Sequence, residues 1–336
     1  RREFVPIQHL PPHDGVSLPP SPTDPMKTAR HQPLLPSRRI ALASALLLGA
    51  AAWLPATTRA ATPAPADTVV EAVQLPAWVE RNGDRRAAEP GQRLRAGDVA
   101  VTASGSRAVL RLSDNSLVKL GEATELALQG LEAGRKDGQD QMAGKFRLIT
   151  GVFRYATDYR SKALGIKRDV SLQTATATVG VRGTDFWAMS DAEHDAVCVF
   201  EGAVAVMRDG RETIALNQPG AFWVVFTGQP EKPAGQATPA QLNKFIGQGD
   251  LEPGQGVLVQ GGQWRTVVAT FPRLAEAEAL RMRLQKAGYP ASVANTVRGH
   301  EVRVLQVATR QDAEALLRKL QADPTLGAAQ GRVEGA

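Results

Sequence analysis

The chain of 336 residues has a single cysteine, Cys198, so no intramolecular disulfide can form and a disulfide scaffold is excluded. Cys198 sits in the apolar run 196–200, where it reads as a small buried hydrophobe rather than a reactive thiol. Aromatic residues make up only 5%, so the core is expected to rest on Val, Leu, Ile and Ala. Histidine is scarce as well. Between residues 61 and 298 it occurs once, as His194 in the acidic stretch SDAEHD, so no His pair has metal-ligand spacing and no metal is expected. No Ser/His/Asp set has useful spacing. No carboxylate pair or nucleophile with its base has supporting context, so an enzyme is the weakest reading. The expectation is a non-enzyme with no catalytic residue and no cofactor. Long apolar runs are missing too. The longest, residues 40–54, is below the 20 or so a spanning helix needs, which excludes a multi-span membrane protein. Basic excess on the folded part is also lacking. The net charge is +6, but residues 1–60 hold seven Lys/Arg against three acids, leaving residues 61–336 with +2. A nucleic-acid binder keeps its excess on the fold, so no nucleic-acid partner is expected.

What the N-terminal sixty residues do contain looks like an address. Residues 1–25 are Pro-rich and aperiodic and read as an over-extended N-terminus. From Met26, the bases Lys27, Arg30, Arg38 and Arg39 precede the apolar run IALASALLLGAAAWL, and small residues follow through Ala60. Basic, apolar and small-residue regions in that order make a secretory signal over 26–60. If the run 40–54 is retained, it becomes an inner-membrane anchor. Residues 61–74 read as a linker, opened by the Ala/Pro strip ATPAPA.

From 75 to 227 the hydrophobic period is two. Short candidate strands such as AVLRL (108–112), VCVF (197–200) and AVAVM (203–207) alternate with Gly/Asn/Asp turns. The expectation is an all-β sandwich, barrel or roll. Glu201-Gly202 reads as a two-residue hairpin loop, and the polar, Gly-rich 130–144 as a mobile excursion. The most distinctive run is TATATVGVRGTDF, 174–186. Gly180, Arg182, Gly183 and Asp185 read as a structural corner in which Arg182 folds back onto a carboxylate, Asp185 or Asp114.

Gly97-Asp98, Asp114-Asn115-Ser116, the run GVRGTDF and the later Glu201-Gly202-Ala203-Val204 together resemble the FecR-type periplasmic domain over about residues 90–220. Asn115 stands where the family usually has Gly. The resemblance implies a periplasmic β fold that senses or scaffolds. In founding members such domains relay an iron-uptake signal to a sigma factor, which supplies the alternative of a membrane-anchored relay regulating a sigma factor.

Residues 228–262 read as a hinge or linker with one short helix starting at Pro239. Beyond it, 263–336 alternates WRTVVATF, a helix over 273–287 ended by Gly288, strands 291–296 and 300–307, a helix over 311–321, and a closing strand 330–334. The β-α-β-β-α-β order gives a small α+β ferredoxin-like domain with one free sheet face.

Trp264 to Phe271, EAEALRMRLQKAGY, Val302-Arg303-Val304 and DAEALLRKL resemble the SPOR domain, a peptidoglycan-binding repeat of bacterial envelope proteins. Members bind glycan strands stripped of stem peptides through the sheet face. Carried over by position, Thr270, His300 and Arg303 are the glycan-binding candidates. Val267 stands where many members carry Gln, and Val307-Ala308 replaces Gly-Pro. The resulting expectation is an exported periplasmic protein that binds denuded peptidoglycan strands and offers its β domain to another envelope protein.

Overall fold

The computed structural model describes residues 64–65, 68–136, 139–163, 165–328 and 330–336. The 1–25 stretch, the secretory signal read at 26–60 and its apolar run lie outside them. Among the described residues no helix is long and apolar enough to cross a membrane.

The period-two segments form two antiparallel-dominated sheets that share their long strands. In one sheet Thr68–Gln74 pairs with Arg107–Arg111, which pairs with Leu117–Leu120. The ladder continues through residues 153–156, 185–190, 194–198 and 222–226. In the other, Ala77–Arg81, Val99–Thr102 and Glu125–Lys136 lead to residues 139–150. Lys167–Gln173 then runs parallel to residues 141–147, followed by 178–181, 204–207 and Ile214–Leu216. Thus Gln139–Ala156, Thr178–Ser190 and His194–Met207 each leave one sheet and enter the other. Each has a local irregularity where it crosses. These are Gly151 at φ +96°, a register shift over Arg182 to Asp185, and Gly202 at φ +83°.

Two expectations change here. Glu201-Gly202 is not a hairpin loop. It is a bend inside the continuous strand His194–Met207, because a glycine at positive φ serves a bulge as well as a turn. In the 130–144 stretch, residues 131–136 pair with 139–144, Glu132 opposite Ala143 and Leu131 opposite Gly144, with Leu131 and Met142 buried. The core rests mainly on Val, Leu and Ala, as expected, and a few of the scarce aromatics join it. Phe146, Phe153, Phe186 and Tyr155 are almost fully buried and form a chain with ring centroids 5.8, 5.7 and 6.2 Å apart. The strand crossings bring rings from two strands together.

Residues 228–262 are largely structured. Gly235–Gln236 pairs with Ala221 and Phe222. The helix Pro239–Gly249 starts at Thr238, whose side chain forms a reciprocal capping box with Gln241, and has Pro in its first turn. Its Phe245 stacks on Trp187 at 4.1 Å and lies 5.6 Å from Phe222. Asp250, just past the helix, accepts from Lys119 Nζ at 2.5 Å. Val257–Val259 then pairs with residues 72–74, and Leu258 also pairs with Val307. One hydrogen-bonded ladder therefore runs from the β part into the C-terminal part. Trp78 Nε1 adds a bond to Lys286 O (3.0 Å), and Lys319 Nζ bonds Gln255 O at 2.8 Å.

The C-terminal part follows the order strand, helix, strand, strand, helix, strand. Its sheet runs Ala291–Thr296, Gly299–Val307, Trp264–Phe271, Arg332–Gly335, with every neighbour antiparallel. Leu274–Lys286 buries Ala277, Leu280 and Leu284, and Arg310–Ala322 buries Ala313, Leu316 and Leu320. Together with Val268, Val302 and Val304 they belong to the main core, and among the described residues no helix packs on the opposite sheet face.

Candidate functional site

Alternation along a strand decides which side chains reach that open face. Val302 and Val304 belong to the core, so Glu301, Arg303 and Leu305 point away from the helices. Register adds their neighbours. Glu301 lies opposite Thr270, and Arg303 opposite Val267 and Ser292. Val267 in turn lies opposite Arg332.

Most charges on this face are mutually paired. Glu301, 1% exposed, accepts from Arg332 Nη2 at 2.6 Å and Arg298 Nε at 3.1 Å. Glu334 accepts from Arg332 Nε (2.7 Å), Arg298 Nη2 (3.1 Å) and Arg265 Nε (3.0 Å). Arg332 Nη1 also reaches Thr270 Oγ1 at 3.5 Å. Arg303 is different. Its Nε is buried without a hydrogen-bond partner, and no carboxylate pairs with it among the described residues. Val267 beneath it is fully buried.

The structure thus brings Thr270 and Arg303 onto one face and leaves His300 off it. His300 lies opposite Phe271 and Asn295, at the parity of Val302, and its Nδ1 is 2.7 Å from Asn295 Oδ1. Glu301, Arg332, Glu334, Arg265 and Arg298 were not among the sequence candidates. The i, i+2 charges Glu301/Arg303 and Arg332/Glu334 were the available signal.

The arginines around Glu334, Arg332 first, hold its carboxyl down at about 2 against the opposition of partial burial. A carboxylate whose folded pKa is depressed stabilises fully above its unfolded value, and that stability is lost as pH falls through the folded pKa. The network is therefore expected to persist at pH 4 and to weaken as the pH is taken toward 2. Resolved carboxyl resonances of Glu334 in a pH titration check this, and a midpoint at the ordinary glutamate value would contradict it.

In the β part, Gly180 is an extended strand residue opposite Ser171 and Ala205. Arg182 and Gly183 lie in the irregular stretch of Thr178–Ser190, and their side-chain positions are outside the described set. The two carboxylates considered for Arg182 are engaged by other arginines. Asp185 takes a bidentate pair from Arg154, Nε at 2.9 Å and Nη2 at 2.8 Å. Asp114 accepts from Arg168 Nε at 2.7 Å in a pair almost fully buried on both sides. Hydrogen bonding to Asp185 raises Arg154 above its ordinary value. Both are cross-strand pairs, which periodicity within one strand does not reveal. Burial pushes the Cys198 thiol up to about 12, so it stays protonated at neutral pH.

Comparison with known families agrees with this division. Residues 98–205 match the FecR protein family and residues 260–326 the SPOR domain family. No curated protein matches the chain. Two crystal structures of a candidate anti-sigma factor from Parabacteroides distasonis, at 2.50 and 1.65 Å resolution, are similar in part. Each is 16% identical and covers 67% of this chain and 90% of its own, with TM-scores of 0.34 and 0.33. The chain carries a FecR domain followed by a C-terminal SPOR domain.

Proposed function

We propose that the protein is an exported, non-enzymatic envelope protein that docks on denuded peptidoglycan glycan strands through the open face of its C-terminal sheet. In this reading the C-terminal part is a ferredoxin-like split βαβ unit, and the FecR part is a sensing or scaffolding domain held beside the wall. The observation that carries the reading is Arg303. A half-buried arginine with no carboxylate partner among the described residues, on a sheet face whose other arginines are held by Glu301 and Glu334, offers guanidinium donors to sugar hydroxyls. Thr270 and the paired arginines frame it, and a neutral glycan makes the contact weakly salt-dependent. The FecR match supports a second reading, a signal-relay protein acting on a sigma factor; glycan docking and relay are compatible on one chain.

The test is co-sedimentation of the full chain with sacculi, intact and amidase-stripped. Wild type is expected to be enriched on stripped sacculi. Arg303→Ala is expected to weaken binding about tenfold to a hundredfold, the range for a hydrogen bond from a charged donor. Its melting temperature should stay near wild type, because Arg303 holds no protein carboxylate. Equal sedimentation of the two chains would sink the assignment.

A further inference from the structure

Past Arg303 the same strand turns out of register. Gln306 takes φ +60°, and the pairing shifts between Trp264 and Thr266. Gln306 is neither Gly nor Asn, so a left-handed backbone here is strain worth explaining. Its Oε1 is buried and has no hydrogen-bond partner. At this point a turn of the β part, Glu89 and Pro90, closes over the end of the sheet and leaves a cleft of about 90 Å³. Pro90, Leu258, Pro290 and Leu305 give it an apolar lining, with Ser292 and Gln306 as polar groups. Ser292 is the register partner of Arg303, and Leu305 is two residues along from it, so the cleft opens at the end of the open face.

We propose that this cleft receives an acetamido group of the glycan, so that the β part supplies one wall of the glycan site. The inference rests on the glycan-docking reading above. The space is far below the roughly 300 Å³ of a whole small-molecule site, so it admits a substituent and not a sugar ring. An acetamido group is an amide with a methyl. The Gln306 amide is its hydrogen-bonding complement, offering an acceptor to the N–H and a donor to the C=O. Rotation about the broad terminal torsion of Gln306 turns Oε1 toward the opening. The methyl meets the proline and leucine surfaces. A hydroxyl in the same place would satisfy Gln306 and leave the apolar walls uncovered.

The test uses the full chain and glycan strands released by amidase, before and after chemical de-N-acetylation. The chains are wild type, Gln306→Leu, Glu89→Trp and Arg303→Ala. Glu89 is exposed, so the tryptophan adds bulk to the cleft from the β part without entering the core. Wild type is expected to prefer acetylated strands about tenfold, the size of one amide pairing with one buried methyl. Gln306→Leu and Glu89→Trp are expected to bind acetylated strands about tenfold more weakly and to lose the preference. Arg303→Ala should weaken both strand types and keep it. Amines exposed by de-acetylation repel the arginines of wild type and of the two cleft variants alike, so the ratios among those three chains are decisive. If both cleft variants keep the wild-type preference, the cleft holds only water and the inference falls while glycan docking stands. If wild type binds neither strand type, glycan docking falls and the inference falls with it.

Discussion

Replacing Gly151 by alanine is expected to destabilise the protein by at least about 3 kcal/mol, a drop in Tm of about 10 °C for a unit of this size. Two costs add. The residue sits at φ +96°, where a side chain is strained whatever its surroundings. A Cβ there would also lie 2.5 Å from the Thr124 Cα and closer still to its Oγ1. Thr124 cannot yield cheaply. It is fully buried, its Oγ1 accepts from Val152 N at 2.9 Å, and its N–H donates to Thr102 Oγ1 at 3.0 Å. Gly151 is also the point at which Gln139–Ala156 stops pairing with Glu125–Lys136 and begins pairing with Leu117–Leu120, so displacement there pulls on both sheets. Gly130→Ala is the control. A Cβ at that position meets Lys145 at an ordinary 3.5 Å, and the expected cost is below about 1 kcal/mol. Thermal melts of the two variants side by side decide the matter. Equal melting temperatures would mean that the strand crossing is not where the fold is constrained.

The same residue shows what one sequence can and cannot disclose. Period-two segments such as 108–112 and 117–120 were legible, because alternation is a local property and one buried face imposes it. The sharing of three strands between two sheets was not. A glycine at positive φ marks a turn and a bulge alike, so Glu201-Gly202 looked like the end of a strand that in fact continues to Met207. Pairing is non-local as well. Nothing near Asp185 or Asp114 in sequence points to Arg154, 31 residues away, or Arg168, 54 away. In the C-terminal part the two amphipathic helices and four strands were legible for the reason that helped in the β part. The open face was half legible. Arg303 could be named from the strand, but Glu301, Arg332 and Glu334 become one network only once Gly299–Val307, Trp264–Phe271 and Arg332–Gly335 are laid side by side. Parity then removes His300 from the face. The structure of the 228–262 segment was hidden for a related reason. A short helix declares its apolar side, here Phe245, without saying that Trp187 will cover it.

The link between the two parts makes the other large prediction, Asp312→Ala. The Asp312 carboxylate is 1% exposed at the start of the last helix. Its Oδ1 accepts from the backbone N–H groups of Gly254 (2.7 Å), Gly256 (3.2 Å) and Val257 (3.1 Å), and its Oδ2 from Thr309 Oγ1 at 2.6 Å. Thr309 Oγ1 in turn caps the helix by accepting from Asp312 N at 3.0 Å. One side chain therefore gathers a loop with two positive-φ glycines and delivers Val257–Val259 to its ladder with residues 72–74. Alanine removes every acceptor and leaves three inward-facing N–H groups unpaired. Water reaching the loop recovers part of the loss, so the expected cost is about 3 kcal/mol rather than the full sum. Asp312→Asn keeps Oδ1 for the three donors, loses the charge that strengthens them, and is expected to cost about half as much. The seam should feel the change before the cores do. Limited proteolysis is expected to cut Asp312→Ala within residues 250–262 faster than wild type, while Arg303 and its sheet face persist in the C-terminal fragment. Amidase-stripped sacculi should then still sediment that fragment, and released strands should bind it without the acetyl preference that needs Glu89 and Pro90 in place. A wild-type cleavage pattern in Asp312→Ala would show that the ladder alone holds the two parts together, and that the carboxylate only caps its helix.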